Sequence, residues 1–518
     1  MFLLRLFCGY LAGSIRNYRR YKVTKNIILL SDGTGNGAAK RNKTNVYRLY
    51  KCLDLHREDQ VAFYDDGVGA QEFVPLKLIG GIFGYGLKRN VLELYKFLCR
   101  NYRKNDRIYL FGFSRGAFTV RLLAGMIARC GVYTRFADER DLDRAARQNY
   151  NAFRSSFKRG LLTKGIRRLS GRWEPVESCC MPDIEFIGVW DTVDAYGFPI
   201  DEMAAVWDIL VYPMHFPDLK LSKKVKKACH ALSVDDERHT FQPLLWDESD
   251  EADGDRIEQV WFPGVHSDVG GGYPRNSLSL VSLDWMLTRA EAQDGRPGKP
   301  GLHLIQRRRQ DIVRHSDWHG SHHDSRAMAG AYYRYKPRDI ESLCDDFLNG
   351  VHIEKPKIHR SVFERIKGNV YPYAPTVLPE QYQVVSTRGS APVYETAAQA
   401  RERKKEMGRV KWVIRQRTML YYSLLLTTFA YIVSPFAAGC FRNGGCRPVD
   451  GLLDPVLKLI TDCLPEMVSP WLEVLRAHPT FFYILAALLV FLLFSKKRAW
   501  EETCYLASRA WKHLKKKY

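Results

Sequence analysis

Arg107–Gly125 reads RIYLFGFSRGAFTVRLLAG. An apolar, β-rich run from Arg107 to Phe111 enters the pentapeptide Gly112-Phe113-Ser114-Arg115-Gly116, and a helical AFTVRLLAGMIARC leaves it. Strand, sharp turn, helix is the setting that gives G-x-S-x-G chemical meaning. The turn holds the serine on a strained backbone, and side chains two residues to either side would collide, which glycines avoid. The helix beyond Ser114 aims its first amides at any oxyanion formed there, so the Arg115 N–H is the first donor.

The same alternation runs through the first half of the chain. NIILL (26–30) leads into SDGTGNG and a helical TNVYRLYKCL, and VAFY (61–64) leads into DDGVGA. IEFIGVW (184–190) leads into DTVDAYG, and IEQVWF (257–262) into PGVHSDVGGGY. This predicts an α/β fold, a mostly parallel sheet with helices on both faces. Chemistry in such sheets gathers at the carboxyl ends of the strands, where all these turns lie.

A serine hydroxyl becomes a nucleophile at neutral pH only beside an imidazole base that a carboxylate orients. Asp191 opens the turn after IEFIGVW, and His266 lies in the turn after IEQVWF. Taken singly, Asp191 reads equally as a helix N-cap and His266 as a loop histidine. Their order, Ser, Asp, His, and their shared place at strand ends select a triad. Asp194 and Asp268 are the substitute acids, and Asp268, two residues from the base, reads better as ordering its own loop. A second oxyanion donor belongs to the turn after an earlier strand, at Gly33 or Thr34. No Gly-Lys-Ser/Thr follows those glycines, which argues against a phosphate cradle. His315, His319, His322 and His323 read as a hydrogen-bonded loop, and QRRRQ (306–310) as a solvated helix face. Asp32, Asp65 and Asp66 at strand ends leave a hard cation as the lesser reading. Neither a metal nor a cofactor is expected.

The 518 residues suit one large domain with additions, and 46% hydrophobic with 26% charged residues is an ordinary globular mix. The net charge is +22. Residues 1–25, 401–417 and 495–518 hold +18 of it, each beside an apolar run, which points to anionic lipid headgroups or a positive-inside signal. No nucleic-acid-binding signature accompanies the charge, so no nucleic-acid partner is expected. Twelve cysteines occur without a Cys-x-x-Cys pair, so buried thiols are expected in the main body. Cys440, Cys446 and Cys463 fall between two apolar runs and could pair in an oxidising compartment.

Those runs are Met419–Ala438 and Thr480–Phe494, read as a transmembrane hairpin whose basic flanks face the cytoplasm. The sequence thus divides into a basic, apolar N-terminal segment (1–24), a catalytic domain (25–385), a basic helical linker (386–417), and a hairpin with a basic tail (418–518). The N-terminal segment reads as an interfacial anchor or a buried first helix. Within the catalytic domain, a helical, basic insertion at 133–180 reads as a lid or cap over the site.

Together the turns resemble the α/β-hydrolase family called domain of unknown function 2235, which includes the phospholipase effectors of bacterial type VI secretion. The matching pieces include SDGTGN (31–36), GVGA (67–70), GGIFGYGLKRNV (80–91), GFSRGAFTVRLLAGMI (112–127), GVWDTV (188–193), HALSVDDERHTFQP (230–243), WFPGVHSDVGGGY (261–273), HDSR (323–326) and YYRYKPR (332–338). IHRSVFERI (358–366) and YAPTVLP (373–379) carry the likeness to about residue 380. The resemblance implies that Ser114, Asp191 and His266 form the triad; Asp194 departs from the glycine usual in that family. It also implies hydrolysis of lipid acyl esters, with membrane phospholipid as substrate and anionic headgroups at the basic flanks.

Three functions therefore compete: a membrane-associated serine lipase, a membrane-perturbing protein acting through its hairpin, and an esterase or thioesterase for soluble acyl substrates. Charge asymmetry favours a resident of the bacterial inner membrane facing the cytoplasm, whereas the resemblance favours a secreted effector delivered to a target membrane. An inhibitory or immunity protein and a homo-oligomeric partner are compatible with either location.

Overall fold

The computed structural model describes residues 24–33, 41–67, 82–155, 174–177, 179–193, 219–250, 256–292, 301–368, 370, 373–441 and 479–515, with backbone alone for 82–85, 328–329, 432–441 and 479–482. Ile27, Ile28, Leu29 and Leu30 are all fully buried. Side chains alternate along a strand, and Ile27 and Leu29 enter one hydrophobic core while Ile28 and Leu30 enter another. A strand buried on both faces belongs inside a parallel sheet covered by helices on both sides. Accordingly, β1 (Asn26–Ser31) pairs in parallel with β2 (Gln60–Asp65) on one edge and β3 (Arg107–Phe113) on the other.

Beyond β3 the sheet grows in chain order through β4 (Ile184–Trp190), β5 (Ala228–Ser233), β6 (Ile257–Phe262), β7 (Lys357–His359) and β8 (Gln383–Val385). Every pairing is parallel. The order β2-β1-β3 means that the chain reverses its direction of travel across the sheet between β1 and β3. The carboxyl ends of those two strands therefore border the crevice where ligands of such sheets bind.

The early helices are α1 (Asn45–Cys52), α2 (Ile82–Asn101), α3 (Arg115–Cys130) and α4 (Glu139–Arg154). After β6 come α5 (His266–Gly270), α6 (Ser277–Glu291) and α7 (Gln306–His315). Helices α2, α3 and α4 cover the face bearing Ile27 and Leu110, and α1, α6 and α7 cover the face bearing Ile28 and Phe111. The insertion expected as a lid needs correcting in its first half. Leu142, Ala146, Tyr150 and Phe153 of α4 are core residues, because the apolar stripe of this helix packs on the neighbouring helices. Residues 156–173 lie outside the described part.

A third core, around Trp261 and Phe363, ties in α8 (Arg360–Lys367), α9 (Ala397–Met407), the start of α10 (Val410–Phe441) and the end of α11 (Pro479–Ala510). The basic linker is thus two helices broken near Gly408, and two of its basic side chains, Arg403 and Arg417, point inward while the rest stay exposed. Arg403 is buried against Glu395 and the carbonyls of Leu378 and Pro379, at 2.8–2.9 Å for its closest bonds. Trp511 beyond α11 donates its indole N–H to Pro375 O at 2.9 Å. Basic residues expected at lipid headgroups therefore partly serve the protein's own packing.

Helices α10 and α11 pack antiparallel, with Val410 and Ala510 in one cluster and Leu424 and Leu492 in another. The transmembrane reading also needs correcting: among the described residues, no helix is long and apolar enough to cross a membrane. Of the expected spans, residues 432–438 and 480–482 have no described side chains, and from Tyr483 onward the apolar run soon meets Lys496, Lys497 and Arg498. The described part does show a broad apolar exterior. Met419, Leu426 and Phe494 are 70–71% exposed, and Phe429, Ile484 and Phe491 are also exposed. Residues 1–23 and 442–478, with Cys446 and Cys463, lie outside the described residues.

Candidate active site

Ser114 follows β3 and caps α3 with φ 58° and ψ −124°, a conformation L-residues rarely adopt. Space explains the flanking glycines. A Cβ on Gly112 would sit 2.5 Å from Gly116 O, and one on Gly116 would sit 2.1 Å from Ser31 O. The turn after β3 thus presses against the end of β1 at the switch point. The Ser114 N–H donates to Trp190 O at 3.0 Å, which ties the elbow to the end of β4.

Asp191 follows β4, also at positive φ (41°), and its N–H donates to Ala231 O at 2.8 Å. Its Oδ1 accepts the Ser233 N–H at 3.0 Å. His266 opens α5 after β6, and its Nδ1 lies 2.5 Å from Asp191 Oδ2 while its Nε2 lies 2.8 Å from Ser114 Oγ. These partners fix the tautomer: Nδ1 carries the proton toward the carboxylate, and Nε2 accepts from the hydroxyl. The rings of Phe113 and Phe241 bracket the imidazole, with centroids 4.6 and 5.0 Å away. All three polar side chains are buried.

Two further groups control this chain of bonds. Arg338, fully buried, reaches Asp191 Oδ1 at 2.6 Å and Oδ2 at 2.8 Å. Asp236 Oδ2 accepts the His266 N–H at 3.2 Å and is itself held by Arg238 at 2.7 Å. Each carboxylate near the imidazole thus has its own guanidinium. Burial would raise the Asp191 carboxyl, but Arg338 and the bond to His266 hold it far below the usual range. Burial likewise opposes ionisation of Asp236, yet Arg238 holds it at about 2. For His266 burial wins over the pull of Asp191 and places its pKa below the ordinary value, so the imidazole is neutral near pH 7. A neutral imidazole between a hydroxyl and a charged carboxylate can take a proton from that hydroxyl.

The sequence singled out Ser114, Asp191 and His266, and they meet here, but Arg338 and Asp236 were given no role. Both stand inside stretches matched by resemblance, yet nothing in spacing ties Arg338 to a carboxylate 147 residues away.

The expected oxyanion donors fare differently. Arg115 begins α3, and burial pulls its guanidinium down to about 10. The Gly33 N–H is bonded to Asp32 Oδ1 at 2.7 Å, and Thr34 lies outside the described residues. Asp194 lies outside them as well. Asp268 accepts from the Val265 and His323 N–H groups and from His323 Nδ1 at 2.6 Å, so it orders the loop around the base. The other clustered histidines go to separate partners: His315 to Asp311 O, His319 to Asp317, and His322 to within 3.6 Å of Asp235. Asp32 is tied by Thr44 and Tyr64, and Asp65 by Ser31 and Asn90; burial raises both to about 6. Among the described residues no three or more such side chains are grouped to hold a metal ion.

A family model described as "T6SS, Phospholipase effector Tle1-like, catalytic domain" matches residues 25–289. Among curated proteins, "Uncharacterized protein YEL023C" of Saccharomyces cerevisiae is 35% identical over 129 residues, covering 22% of this chain and 19% of that protein. Among solved structures, an uncharacterized protein from Pseudomonas aeruginosa superposes with a TM-score of 0.33 at 18% identity, over 79% of this chain and 61% of that one. The Tle1 effector bound to the VgrG spike of the type 6 secretion system gives a TM-score of 0.29 at 19% identity, over 49% and 52%. The chain spans less than two thirds of the length of each of these relatives.

Proposed function

The chain belongs to the family of Tle1-like type VI secretion phospholipase effector catalytic domains, and from that premise we propose that it is a membrane-associated serine lipase that cleaves acyl esters of membrane phospholipids. Ser114 Oγ attacks the ester carbonyl, His266 Nε2 takes its proton, and Asp191 orients and stabilises the resulting imidazolium. The carbonyl oxygen becomes an oxyanion facing the Arg115 N–H at the start of α3. Collapse of the tetrahedral intermediate expels the lysophospholipid alcohol, to which His266 returns the proton. Water, activated by the same imidazole, then releases the fatty acid from the acyl-serine.

The observation that carries this reading is the unbroken line of bonds from Ser114 Oγ through His266 to Asp191, at 2.8 and 2.5 Å, at the switch point of a parallel sheet. The exposed apolar side chains of α10 and α11 support attachment to a lipid surface, where the substrate is concentrated. Family membership favours an effector delivered to a target membrane over a resident of the producer's own inner membrane, and such an activity calls for an immunity protein in the producer.

The test compares wild type with Ser114→Ala on phospholipid vesicles. Fatty-acid release that depends on Ser114 is expected, and equal release by both proteins ends the proposal. The same exposed helices also favour a second reading, membrane perturbation without hydrolysis. Dye leakage that survives Ser114→Ala but disappears on removal of 418–518 would select it.

A further inference from the structure

Two short segments hold the groups that surround the imidazole, and they are joined to each other. Arg238 and Tyr335 form an antiparallel bridge; the Lys336 N–H donates to Glu237 O at 2.8 Å and the His239 N–H to Arg334 O at 2.9 Å. The first segment carries Asp236, bonded to the His266 N–H. The second carries Arg338, bonded to Asp191 and, through its other contacts, to Phe241 O of the first segment.

Both segments are also fastened to helix α10. Arg417 forms a bidentate ion pair with Glu237, with one bond at 2.8 Å, and its guanidinium lies 4.2 Å over the Tyr335 ring. The Arg417 side chain is only 3% exposed. One turn further on, Ala331 and Tyr332 pack against Leu420, Leu424, Leu489 and Leu492, and Tyr332 Oη lies 3.1 Å from Thr428 Oγ1. The helices that present apolar side chains to solvent are therefore the ones that grip the supports of the imidazole. Exposed apolar side chains are costly in water and a lipid surface relieves that cost; α10, which carries several of them, is the same helix whose Arg417 holds Glu237 and Tyr335.

We propose that Arg417 is a positioning residue: through Glu237 it fixes the paired segments that carry Asp236 and Arg338, so that lodging the helix pair in a lipid surface and aligning Ser114, His266 and Asp191 are one event. This rests on the lipase reading above. A displacement of about 1 Å at a reacting group can cost about 100-fold in rate, so a loosened ion pair outside the site suffices to matter.

The experiment uses the full chain with phosphatidylethanolamine–phosphatidylglycerol vesicles and the variants Arg417→Gln, Arg417→Lys and Glu237→Gln. Vesicle cosedimentation, kcat and KM on vesicles, and the rate at which a fluorophosphonate probe labels Ser114 are measured. Expected are unchanged vesicle binding and KM, a kcat and labelling rate lowered at least about tenfold in both glutamine variants, and partial recovery with lysine. Unchanged labelling and kcat, or a loss confined to vesicle binding, overturns the inference. Should the variants unfold, hydrogen exchange of wild type decides: protection of 234–239 and 333–338 must rise when vesicles are added, and no rise rejects the coupling. Wild type that neither releases fatty acid nor labels at Ser114 defeats the lipase reading itself. A labelled wild type with an indifferent Arg417→Gln defeats the coupling alone.

Discussion

Arg338 and Asp191, 147 residues apart, meet through two parallel bonds of 2.6 and 2.8 Å with both side chains shut off from solvent. A buried carboxylate that is to stay charged, as the proposed role of Asp191 requires, needs such a partner, since burial alone would neutralise it. Arg338→Met should therefore lower stability by about 3–5 kcal/mol, the scale of an orphaned buried charge. The pH dependence has a definite sign. The folded Asp191 carboxyl lies below its unfolded value, so its contribution is present above that unfolded value and is lost as pH falls through the folded one. Without Arg338 the folded value rises, and acid unfolding should begin at higher pH, as circular dichroism across an acid titration will report.

The strained backbone at Ser114 sets its proposed function against stability. At φ 58° and ψ −124° a residue with a Cβ carries roughly 1–3 kcal/mol of strain. Ser114→Gly should abolish ester hydrolysis while raising the thermal midpoint, and Ser114→Ala should abolish hydrolysis with the strain retained. A glycine variant that melts below wild type contradicts this account. Gly116→Ala should be severely destabilised, because its Cβ would meet Ser31 O at 2.1 Å and nothing there but backbone can yield.

The acid limb of kcat/KM should report His266. Asp191 and Asp236 pull its pKa up, Arg238 pushes it down, and burial beside Phe113 and Phe241 dominates, so the limb should fall below the ordinary 6.5. Only the neutral imidazole can accept the Ser114 proton, so the proposed activity should be complete near neutrality and should fall as pH drops through that value. Asp236→Asn removes an upward pull and leaves Arg238 uncompensated, which should move the limb further toward acid. Movement the other way would show that Asp236 does not act on the imidazole's charge.

How much of this was legible in the sequence follows from which interactions are local. β1, β3, β4 and β6 announced themselves as apolar runs ending in glycine-rich turns, because a buried parallel strand is apolar on both faces and its carboxyl-end turn is tight. β5, Ala228-Cys229-His230-Ala231-Leu232-Ser233, is just as buried but carries a histidine and two small alanines, so no run of branched residues marked it. His230 is tolerated there because the Thr192 N–H donates to it at 3.0 Å from the neighbouring turn, a partner 38 residues away. The same limit hid the bond of Arg338 to Asp191 and that of Asp236 to His266, both of which are set by the sheet order. It also made Arg403 and Arg417 read as headgroup ligands. A basic cluster states its charge but not its direction, and Glu395 and Glu237 supply the direction.

The apolar exterior of the helix pair gives the last prediction. Met419, Leu426, Phe429, Ile484, Phe491 and Phe494 face solvent, so replacing them removes little that the fold depends on. Each contributes about 1.5–3 kcal/mol if it enters a lipid phase. The triple variant Leu426→Ser, Phe429→Ser, Phe491→Ser should thus lower vesicle partitioning by at least about 100-fold, since even the low end summed over three side chains exceeds that. Its thermal midpoint should match wild type. Ser114 is carried on β3, outside the helix pair, so labelling of Ser114 should be lost only to the extent that lipid seats α10. Wild-type partitioning by the triple variant would mean that these side chains await a protein partner rather than lipid, and crosslinking through Phe429 and Phe491 would then be the way to find it.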